Sequence, residues 1–268
     1  MMDAMFPVAA SEHAGDIDNM IDVVHYLMLA LFVVWGVFFI YTLMRFRAGR
    51  NPKADYVGVK SKASTWGEVA VAIAEGILLL GFSIPMWAER VDEVPDESEA
   101  TVVRVVAQQF AWNVWYPGAD GEFGAADVNL VDEATNPIGL DRSDEHGADD
   151  IWTVNQLHLP VDQAAIIHLS SKDVIHSFNL PNMRIKQDAI PGLSIPVWFV
   201  PTKTTAQIRE ETGNPDYVYE IACAQLCGNS HYSMRGFLTV HTEEEFQAWL
   251  DEEASYLGDT GEDDFFNF

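Results

Sequence analysis

The sequence predicts an α+β, membrane-anchored chain in which a hairpin of two transmembrane helices leads into an all-β domain of sandwich or barrel type. Two observations carry the prediction. Two long apolar runs lie within the first 88 residues, separated by a basic loop, and beyond them the chain breaks into short β-rich segments punctuated by Pro and Gly. A length of 268 residues suits a membrane part plus one domain of ordinary size.

Residues 1–22 are polar and acidic apart from the short apolar patch Met5 to Ala10. With no basic stretch ahead of that patch they do not read as a secretory signal, and the expectation is an N-terminal extracellular segment. Val23 to Met44 is a run of 22 residues without a formal charge, and about 20 such residues span a bilayer core. The connecting loop, 45–65, carries Arg45, Arg47, Arg50, Lys53, Lys60 and Lys62 against the single acid Asp55, which assigns it to the cytoplasm. A second apolar run, 66–88, has Trp66 and Trp87 at its ends, where interfacial aromatics belong. The hairpin 23–88 thus leaves both ends outside. Glu68 and Glu75 lie inside the second span, seven residues apart and on nearly one helix face. Ionisable groups at membrane depth face protein or water, so contact with a partner subunit is expected there.

Residues 89–250 are expected to form the β domain. Thr101–Val106, Ile166–Leu169, Val197–Val200, Tyr217–Ile221 and Gly236–Val240 read as strands, Glu243 to Leu250 as a final helix, and Pro117 to Asp150 as a long acidic surface loop. Residues 251–268 are expected to be a mobile acidic tail.

The chain holds 41 acidic and 15 basic residues, six of them lysine. Binding nucleic acid needs clustered positive charge, so that class of partner is excluded. An acid-rich, lysine-poor surface on a chain with a full hydrophobic complement points to a salt-rich setting, where mutual repulsion is screened.

The chemistry concentrates in Cys223-Ala224-Gln225-Leu226-Cys227-Gly228-Asn229-Ser230-His231-Tyr232-Ser233-Met234, which contains both cysteines of the protein. Two thiols, an imidazole and a thioether within twelve residues form a soft ligand set that selects copper over calcium or magnesium. A mononuclear blue-copper site needs one cysteine, whereas two thiolates are able to bridge two coppers. Each copper then needs an imidazole, and Asp173-Val174-Ile175-His176-Ser177-Phe178 offers the second beside His231. The alternatives are a disulfide, a structural zinc site, or a thioredoxin-like copper chaperone with cysteines at the same spacing. None of them explains His231 and Met234 at these intervals together with a membrane hairpin.

That loop, the segment Asp173 to Pro181 and the run Lys186-Gln187-Asp188-Ala189-Ile190-Pro191-Gly192 together resemble subunit II of the cytochrome c oxidases, in the haem-copper oxidase superfamily. The resemblance extends over most of the chain, and it implies a cupredoxin-like Greek-key sandwich; the acid-rich, lysine-poor composition, for its part, leads to the expectation of a halophilic, archaeal source, with an acidic surface in an ordinary organism as the alternative. The resemblance also implies a binuclear copper centre, CuA, with Cys223 and Cys227 bridging, His176 and His231 as caps, Met234 as a weak axial ligand and the backbone carbonyl of Gln225 as a further ligand. Many members have Glu at that last position; Gln225 keeps the carbonyl but loses the charge that helps to hold a magnesium ion. Phe110, Trp112, Trp115 and Tyr116 resemble the aromatic patch where the electron comes in, with packing in the sandwich core as the alternative for any one of them; the family's usual tryptophan after Gln109 is here Phe110. The implied partners are oxidase subunit I and other oxidase subunits, membrane lipid, and cytochrome c or a small blue copper protein as donor. The implied role is that of the electron-transfer subunit of a proton-translocating terminal oxidase in the cell membrane, with the copper domain on the extracellular face. A copper-free quinol-oxidase subunit would lack the cysteines, and a nitrous oxide reductase would lack the hairpin. His13, His25, His146, His158, His168 and His241 show no ligand pattern.

Overall fold

The computed structural model describes residues 6–53, 56–58 and 60–257, in two units. The first unit is helical. Helix α1, Ala14–Phe46, contains the predicted span and begins ahead of it, with Asp16 in its first turn, where the helix dipole favours an acid. Helix α2, Ala63–Leu78, passes through one π-helical turn, Leu79–Ser83, into α3, Ile84–Asp92. Ala14–Phe46 and the continuous Ala63–Asp92 are long and apolar enough to cross a membrane. The loop residues 54, 55 and 59 lie outside the described residues.

The second unit is a β-sandwich of two five-stranded sheets. One sheet has the order β3-β2-β1-β5-β8, built from β1 Thr101–Gln108, β2 Ala111–Tyr116, β3 Ile151–Val154, β5 Ala165–Ser171 and β8 Ile195–Phe199. The other runs β4-β10-β9-β6-β7, from β4 Gln156–Pro160, β6 His176–Leu180, β7 Ile185–Ala189, β9 Tyr219–Cys223 and β10 Arg235–His241. The pairs β1/β5 and β4/β10 are parallel and the remainder antiparallel. Alternation along the strands decides what enters the core. Val103, Val105 and Ala107 of β1 and Trp112, Val114 and Tyr116 of β2 meet Leu157, Leu159, Phe178, Leu180, Tyr219, Ile221, Leu238 and Val240 of the opposite sheet.

Several elements depart from the sequence reading. Residues 7–13, within the expected N-terminal extracellular segment, are strapped to the β domain. Ala10 is buried, its N–H donates to the Asn182 carbonyl (2.9 Å) and its carbonyl accepts from Thr202 N–H (2.9 Å), while Ser11 Oγ donates to the Met183 carbonyl (2.7 Å). Helix α4, Thr205–Thr212, was not expected, although a Thr204/Gln207 capping box and a left-handed Gly213 bound it. The final helix α5 runs Glu243–Leu257, past the expected end at 250, because Trp249, Leu250 and Leu257 all pack on the core. Its last turns therefore replace the start of the expected acidic tail, and the rest of that tail, 258–268, lies outside the described residues.

Candidate metal centre

Strand pairing brings the ligand candidates to one end of the second sheet. Antiparallel β9 and β10 are joined by the loop from Cys223 to Met234, with Arg235 opposite Ala222 and Cys223 N–H donating to the Met234 carbonyl (3.3 Å). Strand β6 flanks β9 on its other side with Phe178 opposite Cys223, and so delivers His176 to the same place. Gly228 turns the loop at φ +139°, a conformation that glycine alone adopts readily.

Every soft donor expected from the sequence converges there. The two Sγ atoms lie 3.8 Å apart, so the cysteines are free thiols rather than a disulfide. His176 Nδ1 is 3.9 Å from Cys223 Sγ, His231 Nδ1 is 3.5 Å from Cys227 Sγ, and Met234 Sδ is 3.8 Å from Cys227 Sγ. The Gln225 carbonyl oxygen lies 3.1 Å from Cys223 Sγ. The ligand atoms of His176, Cys223 and Cys227 all fall within 4.8 Å of one another. His176, Cys227 and Met234 are buried and Cys223 half-buried, so the cluster has little direct access to water. Two thiols, two imidazole nitrogens, a thioether and a carbonyl facing one small space fit a copper pair and leave no protein-free position for a substrate.

The surroundings prepare these groups for a cation. His176 Nε2 lies 2.8 Å from Asp173 Oδ1, and since a carboxylate only accepts, that nitrogen carries the proton and leaves Nδ1 bare towards Cys223. Asp173 also accepts from the N–H groups of Gln109 (2.6 Å) and Val174 (2.6 Å). Burial works against its charged form, but the hydrogen bonds from His176, Gln109 and Val174 outweigh it and hold the carboxyl below the ordinary range. Burial, reinforced by neighbouring Cys223, pushes the Cys227 thiol up to about 11, so a metal binding there displaces its proton. Asp173 and Gln109 were not singled out as site residues from the sequence. The available signal for the first was its position three residues before His176.

The structure divides the aromatic patch between core and surface. Trp112 is fully buried, edge-on to Phe178 (centroids 5.4 Å apart) and to His176 (6.1 Å). Trp115 is 4% exposed; it lies beneath the 117–150 loop, donates through Nε1 to Asp150 Oδ2 (2.7 Å) and meets Phe123 and the Arg104 guanidinium. Neither tryptophan is therefore placed to form a docking surface, because β2 points one ring into the core and the acidic loop covers the other. Phe110 is half-buried and lies against the metal loop at Gly228. Leu226 and Tyr232, beside the ligands, are 78% and 85% exposed and form an apolar rim that the sequence did not mark.

A cupredoxin-like sandwich carrying this donor cluster, on a chain with two helices able to cross a membrane, defines a membrane-anchored copper electron-transfer protein. The profile of the cytochrome c oxidase subunit II periplasmic domain matches residues 101–240. The alternative cytochrome c oxidase subunit 2 of Bradyrhizobium diazoefficiens is 32% identical over 248 residues, covering 92% of this chain and 83% of that protein. The haem-copper oxidase subunit 2 of Aeropyrum pernix is 26% identical over 220 residues, covering 78% of this chain and 77% of its own length. The crystal structure of the periplasmic domain of cytochrome oxidase subunit II from Bradyrhizobium japonicum aligns with a TM-score of 0.42 at 24% identity, covering 61% of this chain and 99% of that one. The chain belongs to the cytochrome c oxidase subunit II family. It is a subunit of a haem-copper terminal oxidase, and its β domain is the copper-binding, CuA-bearing part on the outer side of the membrane.

Proposed function

We propose that His176, Cys223, Cys227, His231, Met234 and the Gln225 carbonyl would hold the two coppers, with both thiols and both imidazoles as the principal donors. When bound, the copper pair supplies a one-electron redox couple. The residues do the rest. Asp173 keeps the His176 proton on Nε2, the filled donor positions exclude substrate, and the buried Cys227 and Met234 side chains keep water from the cluster. The subunit takes electrons singly from an external carrier, a cytochrome c or a small blue copper protein, and passes them to haem in subunit I for oxygen reduction. Phe110, the half-exposed ring against the metal loop, is the contact through which the electron comes in, and Trp112 lines the interior beside His176. The chain crosses the cell membrane twice, through 23–44 and 66–88, with loop 45–65 cytoplasmic and the domain 89–250 outside. Glu68 and Glu75 face a membrane-embedded partner subunit.

The observation that carries this reading is the convergence of both thiols with two imidazole nitrogens, a thioether and a carbonyl, contributed by β6 and the β9–β10 loop. Metal analysis of the purified complex is expected to find two coppers in this subunit and a mixed-valence electron paramagnetic resonance signal, abolished in Cys223→Ser and in Cys227→Ser. One copper, or the spectrum of an ordinary blue-copper site, would refute the bridged centre.

A further inference from the structure

We propose that Gln109 is a positioning residue of the copper centre, clamping the cysteine loop to the segment that carries His176. The proposal rests on the ligand set given above. Gln109 donates two hydrogen bonds, each to a different segment of the centre. Its backbone N–H donates to Asp173 Oδ2 (2.6 Å), and the other oxygen of that carboxylate holds His176 Nε2 (2.8 Å). Its side-chain Nε2 donates to the carbonyl of Cys227 (2.5 Å). One residue thereby links the imidazole on β6 to the backbone of the second cysteine.

Few other hydrogen bonds tie the middle of the loop to the domain. Ala224 N–H is tied to the Ser177 carbonyl (2.9 Å), and His231 N–H closes back on the Gly228 carbonyl (3.2 Å). Among the described residues, the bond from Gln109 is the only hydrogen bond joining residues 225–230 to any part of the domain outside the 223–234 loop. Gln225, Leu226, Gly228 and Asn229 are exposed, so over that stretch packing restrains chiefly the buried Cys227 side chain, and the backbone around it depends on the bond from Gln109. The Gln109 amide also sits so close to Gly228 that a Cβ there would lie 2.7 Å from Nε2. Outer hydrogen bonds of this kind orient metal ligands and tune the metal they hold. Without the amide donor, the Cys227 carbonyl loses its partner and the separation of the two sulfurs from His176 is no longer set.

The test uses the assembled oxidase with Gln109→Glu, which keeps the side-chain shape but has no N–H to donate when ionised, and Gln109→Ala. Both leave the backbone bond to Asp173 in place. Copper retention against a chelator is expected to fall by about 10- to 100-fold. The copper hyperfine pattern and the midpoint potential should shift while KM for the electron donor stays at its wild-type value. Gln109→Asn, with the amide withdrawn by one methylene, should fall between wild type and Gln109→Ala, and it carries the same test if either other variant does not assemble. Wild-type spectrum, potential and retention in the variants would overturn the clamp, and a raised donor KM with an unchanged spectrum would reassign Gln109 to docking. If wild type itself lacks the paired-copper signal, the ligand reading fails rather than the clamp.

Discussion

Replacing Gly228 by alanine should loosen copper binding without unfolding the sandwich. The backbone at Gly228 has φ +139°, and a Cβ built there would meet Gln109 Nε2 at 2.7 Å and the Phe110 ring at 3.0 and 3.1 Å. Holding alanine in such a conformation costs about 1–3 kcal/mol. If the Gln109 amide yields to make room, its hydrogen bond to the Cys227 carbonyl is lost, at about 1 kcal/mol more. Together these destabilise the closed loop by about 2–4 kcal/mol, which lowers apparent copper affinity by roughly 30- to 700-fold. Gly192 provides the control, since it has φ +77° but no atom within 4 Å of a built Cβ. Gly192→Ala should show the backbone strain alone, with copper retention unchanged. The assay is chelator competition on the full chain in detergent, followed through the copper spectrum. Equal copper retention in Gly228→Ala and wild type would refute the idea that close backbone approach at this glycine holds the loop shut.

Three further outcomes follow from the same geometry. Gln225→Ala should preserve the copper spectrum, because the group placed 3.1 Å from Cys223 Sγ is a backbone carbonyl that alanine also possesses; loss of one copper would show that the side chain takes part. His158 is buried between His241 and Trp249, and burial, with a smaller effect from His241, pushes its imidazole from the ordinary 6.5 down to about 4. A depressed histidine disfavours proton uptake by the folded state, so its contribution is complete above pH 6.5 and is lost as pH falls towards 4, by about 3 kcal/mol. Urea unfolding of the full chain between those pH values should therefore show a steeper loss of stability in wild type than in His158→Leu, and parallel curves would contradict the shift. Finally, in molar salt the Debye length is about 3 Å, so short-range contact has to guide the donor. Electron input is then expected to be nearly flat with salt and slowed in Phe110→Ala with the copper spectrum intact; stopped-flow oxidation of the donor checks this, and a steep salt dependence with a wild-type rate in Phe110→Ala would argue for charge-guided docking elsewhere.

The parts of this protein legible in the sequence are those whose cause is local. A bilayer span follows from unbroken apolarity, so the runs at 23–44 and 66–88 fall inside Ala14–Phe46 and Ala63–Asp92 without any knowledge of the fold. The loop from Cys223 to Met234 announces its chemistry because consecutive donors on a tight turn between paired strands have nowhere to diverge. His176 was recoverable by ligand counting, since one imidazole cannot cap two metals.

Tertiary structure alone decided the rest. Whether a ring on β2 faces solvent depends on what covers each face of the strand, and alternation is silent on that: Trp112 enters the core while the distant 117–150 loop closes over Trp115 through Asp150. The strap at residues 7–13 borrows its hydrogen-bond partners from Asn182, Met183, Val200 and Thr202, far along the chain, so nothing in its own composition declares it. The span of α5 to Leu257 was set by apolar side chains finding the sandwich rather than by helix propensity in an acidic segment. Gln109 and Asp173 carry no metal-binding signature of their own; they became part of the centre because β1 and β5 lie side by side and bring the strand ends beside His176 and Cys227 into hydrogen-bonding reach. Hydrogen bonds and burial are properties of pairs, and a pair separated by 118 residues, as Gln109 and Cys227 are, exists only once the chain has folded.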